Sequence, residues 1–319
     1  MNNNNHIYIS ICIPAFERTK FLKRLLDSIS IQSFTFYEII ISDDSVSDNN
    51  KILVENYKHL DIKYIKNTLS LGSPKNWNHA VSFAKYEWIK IMHDDDYFDN
   101  KNSLDIFAKS IQRNIHCNFF FSSHYKLHET KQLKTKINVS WFYMIFLKYS
   151  RMILFHKNLI GHPSCTLYKK DEDIQFDNKF KWVVDIEFYY RYLNKNKIFT
   201  FISEPVIVVS DNESQITKQV FRKKDIEIPE NLQMLNNIGE SKLNNLILFD
   251  YFWRLFRNLG IKNYSEISGY QIPIPWKLEK MIEFQSKFSS TILKIGIVSK
   301  LTMFIYYFYT CIHNNNAKN

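Results

Sequence analysis

Glycine is scarce in this sequence, with only six residues among 319, and cysteine is limited to four. The low glycine content excludes collagen-like and low-complexity chains. None of the cysteines lies in a C-x-x-C pair, which argues against a structural zinc site, and their wide spacing argues against a disulfide framework. Residues 1–5 lack the basic and apolar regions of a signal peptide. We therefore expect a protein of a reducing compartment, and its 45% apolar residues suffice for a sizeable core.

The chain carries an excess of positive charge, with a formal net charge of +10 at pH 7. Such an excess favours anionic partners, among them nucleic acids, anionic lipids and phosphorylated ligands. The basic residues are dispersed, with small clusters at Lys131–Lys136 and Arg222–Lys224 and no long basic tail in the sequence. We therefore do not expect nucleic acid binding.

Strand-like and helix-like segments alternate through the first half of the chain. Apolar, β-branched runs predict strands at Ile7–Ile13, Glu38–Ser42, Ile62–Lys66, Trp88–Met92 and Cys117–Ser122. Helical stripes lie between them, with Thr19, Asp48 and Ser103 placed as caps. This alternation predicts an α/β fold with a doubly wound, mostly parallel sheet, in which ligands bind at the carboxyl ends of the strands.

Helical patterns dominate the last third of the chain. They lie near Glu230–Asn237, Leu243–Leu259 and Lys277–Phe288. The sequence therefore predicts two domains, a ligand-binding and catalytic domain at residues 1–221 and a helical appendage at residues 222–319.

Acidic residues follow two of the predicted strands. Asp43 and Asp44 come after a run of isoleucines, and Asp94–Asp96 comes after Trp88–Met92. Three adjacent carboxylates repel one another unless a cation compensates them, and hard oxygen ligands suit Mg²⁺ or Mn²⁺ shared with a diphosphate. A solvated acidic turn is the alternative for the run of three, and a helix-capping turn is the alternative for Asp43 and Asp44.

Three motifs occur in a fixed order: Ile-Pro-Ala-Phe-Glu-Arg from Ile13, Ile-Ile-Ser-Asp-Asp-Ser from Ile40, and Trp-Ile-Lys-Ile-Met-His-Asp-Asp-Asp from Trp88. Together they resemble the family 2 glycosyltransferases with the GT-A fold, over about residues 7–215. The resemblance implies an inverting displacement at an anomeric carbon, a divalent metal ion (Mn²⁺ or Mg²⁺) and a donor that is usually a uridine diphosphate sugar.

The same resemblance implies roles for the residues around the donor. Asp44 matches the aspartate that recognises the nucleotide base, and the loop residues Pro14, Ala15 and Glu17 match positions beside that base. Asp94 matches the residue near the ribose.

A metal site and a catalytic base are also implied by the resemblance. Asp95 matches the carboxylate that holds the metal ion, and Asp96 matches an acidic or amide neighbour of that site. Asp185 matches the general base.

Two departures from the family pattern affect these assignments. The family often has an aspartate where this chain has His93, so the acidic motif is shifted by one place. It also often has Arg-Asn where this chain has Trp77-Asn78, and Lys75 is the residue that could supply the missing charge to the phosphates. Asn78 is kept as a donor-binding candidate.

Three residues are candidates for the acceptor side of the site. His162 lies in a Gly-His-Pro-Ser segment that resembles the acceptor loop of the family, Trp182 could stack on a sugar, and Glu187 shares the predicted helix with Asp185. The alternatives are a turn with a satisfied histidine, a core tryptophan and a solvated helix face.

The C-terminal segment Thr291–Ile312 is largely apolar but is interrupted by Lys294 and Lys300. A membrane span needs about 20 apolar residues, so we expect this segment to lie on a membrane and not to cross it. The basic, aromatic stretch Trp141–Leu159 either faces a membrane or packs on the main domain. A cytoplasmic protein on the inner face of the cell membrane follows as the expectation.

The sequence therefore predicts transfer of a hexose or amino-hexose to a lipid-linked glycan acceptor in O-antigen or capsule assembly. A sugar-phosphate nucleotidyltransferase is disfavoured, because Pro14–Arg18 contains none of the glycines of a phosphate-binding loop. A non-catalytic membrane-associated module that binds nucleotide sugar or glycan is the remaining alternative.

Overall fold

The structure is a computed structural model that describes residues 6–213, 215, 218 and 220–316, with side chains described up to residue 310. The strands, in chain order, are β1 (Ile9–Ala15), β2 (Tyr37–Asp43), β3 (Ile62–Lys66), β4 (Trp88–Ile91), β5 (Tyr97–Phe98), β6 (Phe119–His128), β7 (Leu133–Ile137), β8 (Thr166–Lys169) and β9 (Thr200–Asp211).

Helices lie between the strands and make up most of the C-terminal third. In chain order they are α1 (Thr19–Ser30), α2 (Asn49–Val54), α3 (Lys75–Ser82), α4 (Ser103–Arg113), α5 (Trp141–Tyr149), α6 (Ile153–His156), α7 (Val184–Lys195), α8 (Lys224–Ile238), α9 (Leu246–Leu259), α10 (Ser265–Ser268), α11 (Trp276–Ser286), α12 (Ser290–Lys294) and α13 (Gly296–Asn316).

The strands form one mixed sheet in the order β3-β2-β1-β4-β8-β6-β9-β5, with β7 paired to β6. Strands β3, β2, β1 and β4 are parallel, so their carboxyl ends meet at one edge. Strand β8 then runs antiparallel between β4 and β6. The expectation of an α/β fold with helices around a largely parallel sheet is confirmed for the first four strands. The fifth predicted strand corresponds to β6, which runs in the same direction as β4 but is separated from it by β8.

The centre of the sheet is buried on both faces, which explains its isoleucine runs. Every residue of β1 is buried, and Leu22, Leu25, Leu26 and Ile29 of α1 cover it from one side. Strand β1 continues through Pro14 instead of stopping before it. Its ladder with β4 ends at Cys12, so the missing N–H of Pro14 breaks no pairing on that side.

Of the three predicted helix caps, Asp48 occupies the N-cap position of α2 as predicted, whereas the N-cap residues of α1 and α4 are Arg18 and Asn102. None of Thr19, Asp48 and Ser103 makes a capping hydrogen bond with its side chain in the described part of the chain. The hydroxyl of Thr19 instead donates to Asn50 Oδ1 at 2.8 Å, because the loop after β2 lies beside the start of α1. The spacing of residues therefore indicates where these helices begin. In α1, however, the Thr19 hydroxyl bonds to a neighbouring segment instead of capping the helix.

The chain divides into two compact units. The first holds residues 1–145, 159–180 and 184–215, and the second holds residues 146–158, 181–183 and 216–319. The predicted boundary at 221/222 lies close to the last of these divisions, but the sequence did not indicate that two inner segments belong with the C-terminal unit. In that unit α9 buries Leu248, Phe252, Trp253 and Phe256. Among the described residues, no helix is long and apolar enough to cross a membrane.

Candidate active site

The donor-side candidates lie together at the carboxyl ends of β1, β2 and β4. Pro14 and Ala15 form the end of β1, and the N–H of Asp44 donates to Ala15 O at 2.9 Å. The next N–H along the chain, that of Phe16, donates to Asp94 Oδ2 at 3.0 Å. Parallel pairing therefore brings three segments that are far apart in sequence to one edge of the sheet.

Glu17 and Asp44 hold the loops around this edge. Glu17 Oε1 accepts hydrogen bonds from Val46 N at 2.6 Å and Ser47 N at 3.0 Å, and the bonds from Ser47 lower the pKa of Glu17. Asp44 Oδ1 accepts from Asn67 Nδ2 at 2.7 Å, and Asp44 Oδ2 accepts from Gly72 N at 2.8 Å. Both carboxylates fix the backbone that surrounds the predicted base pocket.

Lys75 and Asn78 occupy different positions on α3. Lys75 is exposed at the first residue of the helix. Asn78 Nδ2 donates to Phe176 O at 2.7 Å, and Asn78 Oδ1 accepts from Phe176 N at 3.1 Å. Both polar atoms of the Asn78 amide are thus used in hydrogen bonds that hold the loop at Phe176.

Arg18 pairs with the acidic run after β4. Its guanidinium contacts Asp94 Oδ1, and its Nη1 lies 2.8 Å from Asp95 Oδ2. Asn212 Nδ2 donates to the same oxygen of Asp95 at 2.8 Å. Burial raises the pKa of Asp94 to about 7, while the charge of Arg18 acts in the opposite direction. The sequence did not single out Arg18 or Asn212, although Arg18 lies within the motif that starts at Ile13.

Asp96 and His93 face away from this ion pair. Asp96 is buried, its Oδ1 accepts from Ser210 N at 3.1 Å, and burial raises its pKa to about 8. The ring of His93 packs against Trp77 with centroids 4.8 Å apart, and burial lowers the pKa of His93 to about 4. Asp96 Oδ2 and His93 Nε2 are buried and lack a hydrogen-bond partner within the described residues. Buried polar atoms that lack partners are where an ion or an ordered water is expected, and imidazole and carboxylate groups are both metal ligands.

The loop that carries His162 is held from two sides. Lys90, which is fully buried in β4, donates to Ser164 O and, at 3.1 Å, to Thr166 O, and burial lowers the pKa of Lys90 to about 7. The hydroxyl of Tyr189 in α7 donates to Gly161 O at 3.1 Å. Gly161 has φ +85°, a conformation that side chains rarely adopt, so glycine permits this turn. The position of His162 is therefore fixed by the sheet and by α7.

Asp185 lies on the side of α7 that faces this loop. It precedes Tyr189 by one helical turn, so the two side chains share a face of the helix. Burial lowers the pKa of His162, whereas the carboxylates of Asp185 and then Asp95 act in the opposite direction. Both carboxylates are therefore within electrostatic range of the same imidazole.

The two remaining acceptor candidates have different surroundings. Glu187 is buried and pairs with Arg191 Nε at 2.5 Å, so the alternative of a solvated helix face is wrong for this residue. Burial raises the pKa of Glu187. Trp182 belongs to the C-terminal unit, where its N–H donates to Glu230 Oε2 at 2.7 Å and its ring lies 6.0 Å from that of Phe221. Trp182 is half-buried, so it is not the fully buried core tryptophan that the sequence offered as the alternative.

Curated relatives are bacterial glycosyltransferases. The chain is 36% identical over 91 residues to the GalNAc(5)-diNAcBac-PP-undecaprenol beta-1,3-glucosyltransferase of Campylobacter jejuni, covering 28% of this chain and 29% of that one. It is 35% identical over 103 residues to the abequosyltransferase RfbV of Salmonella typhimurium, covering 31% of each. The putative colanic acid biosynthesis glycosyl transferase WcaA of Escherichia coli is 25% identical over 192 residues, covering 59% of this chain and 66% of the relative. Each match spans less than two thirds of the relative's length.

Solved structures share the fold over nearly the whole chain. Staphylococcus aureus TarS 1-349 in complex with UDP-GlcNAc superposes with a TM-score of 0.64 at 18% identity, covering 94% of this chain and 90% of that one. The mannosyltransferase PcManGT from Pyrobaculum calidifontis, in complex with GDP-Man and Mn²⁺, superposes with a TM-score of 0.54 at 12% identity, covering 99% and 89%. These neighbours establish a GT-A-like fold.

The family itself is established by the sequence. The model described as "Glycosyl transferase family 2" matches residues 10–175, more than half of the 319-residue chain. That range contains β1 to β4 with the acidic run that follows them, and the loop that carries His162. The chain belongs to glycosyl transferase family 2.

Proposed function

We propose that the chain is an inverting, metal-dependent glycosyltransferase that transfers a hexose or amino-hexose from a nucleotide sugar to a hydroxyl of a glycan acceptor. One observation carries this proposal: the loop of His162 is hydrogen-bonded both to the acidic run, through His93 N and Ser164 Oγ at 3.0 Å, and to the helix of Asp185, through Tyr189 Oη and Gly161 O at 3.1 Å. An acidic run that can hold a metal ion and a carboxylate that can accept a proton, both linked to one loop, are what a displacement at an anomeric carbon requires.

The donor side is assigned to Pro14, Ala15, Glu17, Asp44 and Asp94. Asp44 Oδ2 accepts one hydrogen bond from the described residues, that of Gly72, and an ionised carboxylate oxygen can accept a second. A base N–H such as that of uracil would fill this capacity. We therefore assign a uridine diphosphate sugar as the donor, with Lys75 and Asn78 as further candidates near the phosphates.

The proposed reaction is a single displacement. The acceptor oxygen forms a bond to the anomeric carbon as the bond from that carbon to the diphosphate oxygen breaks, and the hydroxyl proton passes to the carboxylate of Asp185. A divalent metal ion, when bound, neutralises the diphosphate and makes it a better leaving group. Buried side chains around Asp96 exclude water from this side of the pocket, and Lys90 keeps the loop of His162 in place. His162 is assigned to the acceptor side, whereas Glu187 is buried against Arg191 and Trp182 belongs to the C-terminal unit, so neither is assigned a contact with the acceptor.

The acceptor class follows from the relatives. The names of the Campylobacter, Salmonella and Staphylococcus proteins specify an undecaprenol-linked glycan, an abequosyl transfer and poly(ribitol-phosphate). These names support a glycan or polyol-phosphate polymer as the acceptor. We therefore assign this chain to surface polysaccharide assembly, such as O-antigen or capsule, with a lipid-linked acceptor.

A screen of nucleotide sugars for release of nucleoside diphosphate tests this function. We expect release from one or a few uridine diphosphate sugars, in the presence of Mn²⁺ or Mg²⁺ and not in the presence of a chelator. Guanosine and thymidine diphosphate sugars form the comparison arms. Donor binding without release or transfer under any condition would instead support the alternative, a non-catalytic module that binds nucleotide sugar or glycan at a membrane.

The C-terminal unit offers an apolar surface for the membrane. Helix α13 turns Ser299, Met303 and Tyr306 inward, and these residues are buried. Its opposite face exposes apolar side chains at helical spacing, namely Ile297, Leu301, Ile305 and Phe308. Lys294 ends the preceding helix α12, Lys300 pairs with Asp250 at 2.6 Å, and the chain as a whole is basic. We therefore assign the exposed face to an anionic lipid surface on the cytoplasmic side of the cell membrane.

Vesicle flotation tests this assignment. The triple variant Leu301→Ser, Ile305→Ser, Phe308→Ser should lose most of its binding to vesicles that contain phosphatidylglycerol, because it removes the apolar area that inserts between the headgroups. The matched control is Ile115→Ser, Leu133→Ser, Ile198→Ser, which removes three exposed apolar side chains of the first unit. Equal flotation of the helix variant and the wild type would contradict the assignment.

A further inference from the structure

Two buried acceptor atoms beside the acidic run have no partner. His93 Nε2 and Asp96 Oδ2 are both inaccessible to water and lack a hydrogen bond of good geometry from the described residues, while the hydroxyl of Ser164 lies beside the Asp96 carboxyl. Leaving a buried polar atom unpaired costs about 1–3 kcal/mol, so such pairs of atoms are rare without an ion or water. The two atoms belong to one short turn, in which Asp96 N donates to His93 O at 3.0 Å.

A third ligand atom comes from a distant loop. One ligand atom from each of His93, Asp96 and His162 can be chosen so that all three lie within 4.8 Å of one another. The loop of His162 is anchored by Lys90 and Tyr189, and His93 N donates to Ser164 Oγ at 3.0 Å within the same loop. The three groups are thus held on rigid elements, as a preformed metal site requires.

The rest of the acidic run is already compensated. Asp95 Oδ2 contacts Arg18 Nη1 and Asn212 Nδ2, each at 2.8 Å. Asp94 contacts Arg18 and accepts from Phe16 N. The guanidinium therefore offsets one of the two charges on the side of the run formed by Asp94 and Asp95, and a metal ion on the side of Asp96 would offset further charge.

We propose that His93, Asp96 and His162 bind the divalent metal ion of this chain, and that the two imidazoles select a first-row transition metal ion such as Mn²⁺ over Mg²⁺. The inference rests on the proposed function, since it names the residues that hold the ion used there. Mg²⁺ takes oxygen ligands and dehydrates reluctantly, whereas the affinity of nitrogen-containing sites rises from Mn²⁺ through Fe²⁺, Co²⁺ and Ni²⁺, so two imidazoles favour a first-row ion over Mg²⁺ and bind Mn²⁺ least tightly among those ions. Three protein ligands leave coordination positions for substrate oxygens. This set differs from the prediction of Asp95 and Asp96, which shares only Asp96 with it.

Metal binding to the full chain tests the site without any transferase assay. Mn²⁺ is titrated by electron paramagnetic resonance of the free ion, with and without UDP, and Co²⁺ is titrated by its visible absorption, which reports nitrogen ligation. We expect Mn²⁺ to bind at least about 10-fold more tightly than Mg²⁺. His93→Ala and His162→Ala should each weaken Mn²⁺ binding at least about 10-fold and change the Co²⁺ spectrum.

The matched control is His124→Ala. His124 is a third histidine beside the site, with its ring centroid 6.2 Å from that of His162, and it is not part of the proposed set. We expect this variant to bind Mn²⁺ as the wild type does. Circular dichroism of each variant confirms that the fold is retained.

The site would be overturned if the wild type did not bind Mn²⁺ with or without UDP, or if it bound Mn²⁺ and Mg²⁺ equally tightly. It would also be overturned if both histidine variants bound Mn²⁺ as the wild type does while Asp95→Asn abolished Mn²⁺ binding. The proposed function has a separate outcome. Transfer that persists in both histidine variants would keep the function and reject the site, whereas histidine-dependent Mn²⁺ binding without release from any donor would keep the site and reject the function.

Discussion

Asp185→Asn is expected to lower the turnover number by about 10²–10⁴-fold, because the amide cannot accept the proton of the attacking hydroxyl. The substitution preserves the size of the side chain, so the dissociation constant for the nucleotide donor should stay near that of the wild type. Turnover is measured as release of nucleoside diphosphate in the presence of acceptor, and donor affinity is measured by calorimetry.

Asp173→Asn is the control for this variant. It removes a carboxylate of the same unit whose side chain is 85% exposed and which pairs with Lys195 at 2.9 Å. Its turnover should match that of the wild type, since the pair is solvated. A turnover of Asp185→Asn close to that of the control would show that another group takes the proton.

Arg18→Met is expected to lower the free energy of unfolding by about 3 kcal/mol, because it leaves the buried carboxylates of Asp94 and Asp95 without their cation. The Arg18 side chain is only 25% exposed and those of its partners are 1% and 5% exposed, so solvent does little to replace the lost contacts. Urea unfolding monitored by circular dichroism in metal-free buffer measures the change.

Two further variants isolate the cause. Lys23→Met removes a lysine from the next helix, whose pair with Asp27 is 59% and 52% exposed, and should cost less than about 0.5 kcal/mol. Asp95→Asn introduced into Arg18→Met should restore part of the loss, since it removes one of the uncompensated charges. A cost for Arg18→Met no larger than that for Lys23→Met would mean that the ion pair does not stabilise the fold.

The fold was predictable where the signal is local. Strands β1 to β4 and the helices between them follow from isoleucine runs and helical stripes. Strand β8 was not predicted, because its four residues are too short to show a period and they lie in an irregular stretch. Its antiparallel insertion depends on pairing with β4 and β6, which no local pattern encodes.

In the candidate site, too, residues within local motifs were predictable, whereas contacts between distant segments were not. The acidic run and Asp185 were identified from motifs, which record residue types in order. The contacts that organise them join residues far apart in the chain, such as Asn212 with Asp95 and Tyr189 with Gly161. Because a charged or polar side chain can pair with many partners, sequence order alone did not identify Arg18 as the counterion of Asp94 and Asp95.

The way the chain alternates between its two units restricts how relatives of this protein can be recombined. Residues 146–158 and 181–183 group with the C-terminal unit although they lie within the span of the first, and the earlier segment buries Ile153, Leu154 and Phe155. We call residues 146–158 and 181–183 the two inserts. A chimera joined at a single point near residue 216 would combine the two inserts of one parent with the C-terminal helices of the other parent. Donor specificity grafted from another family member would therefore have to be transferred together with both inserts, or with the tail that packs on them.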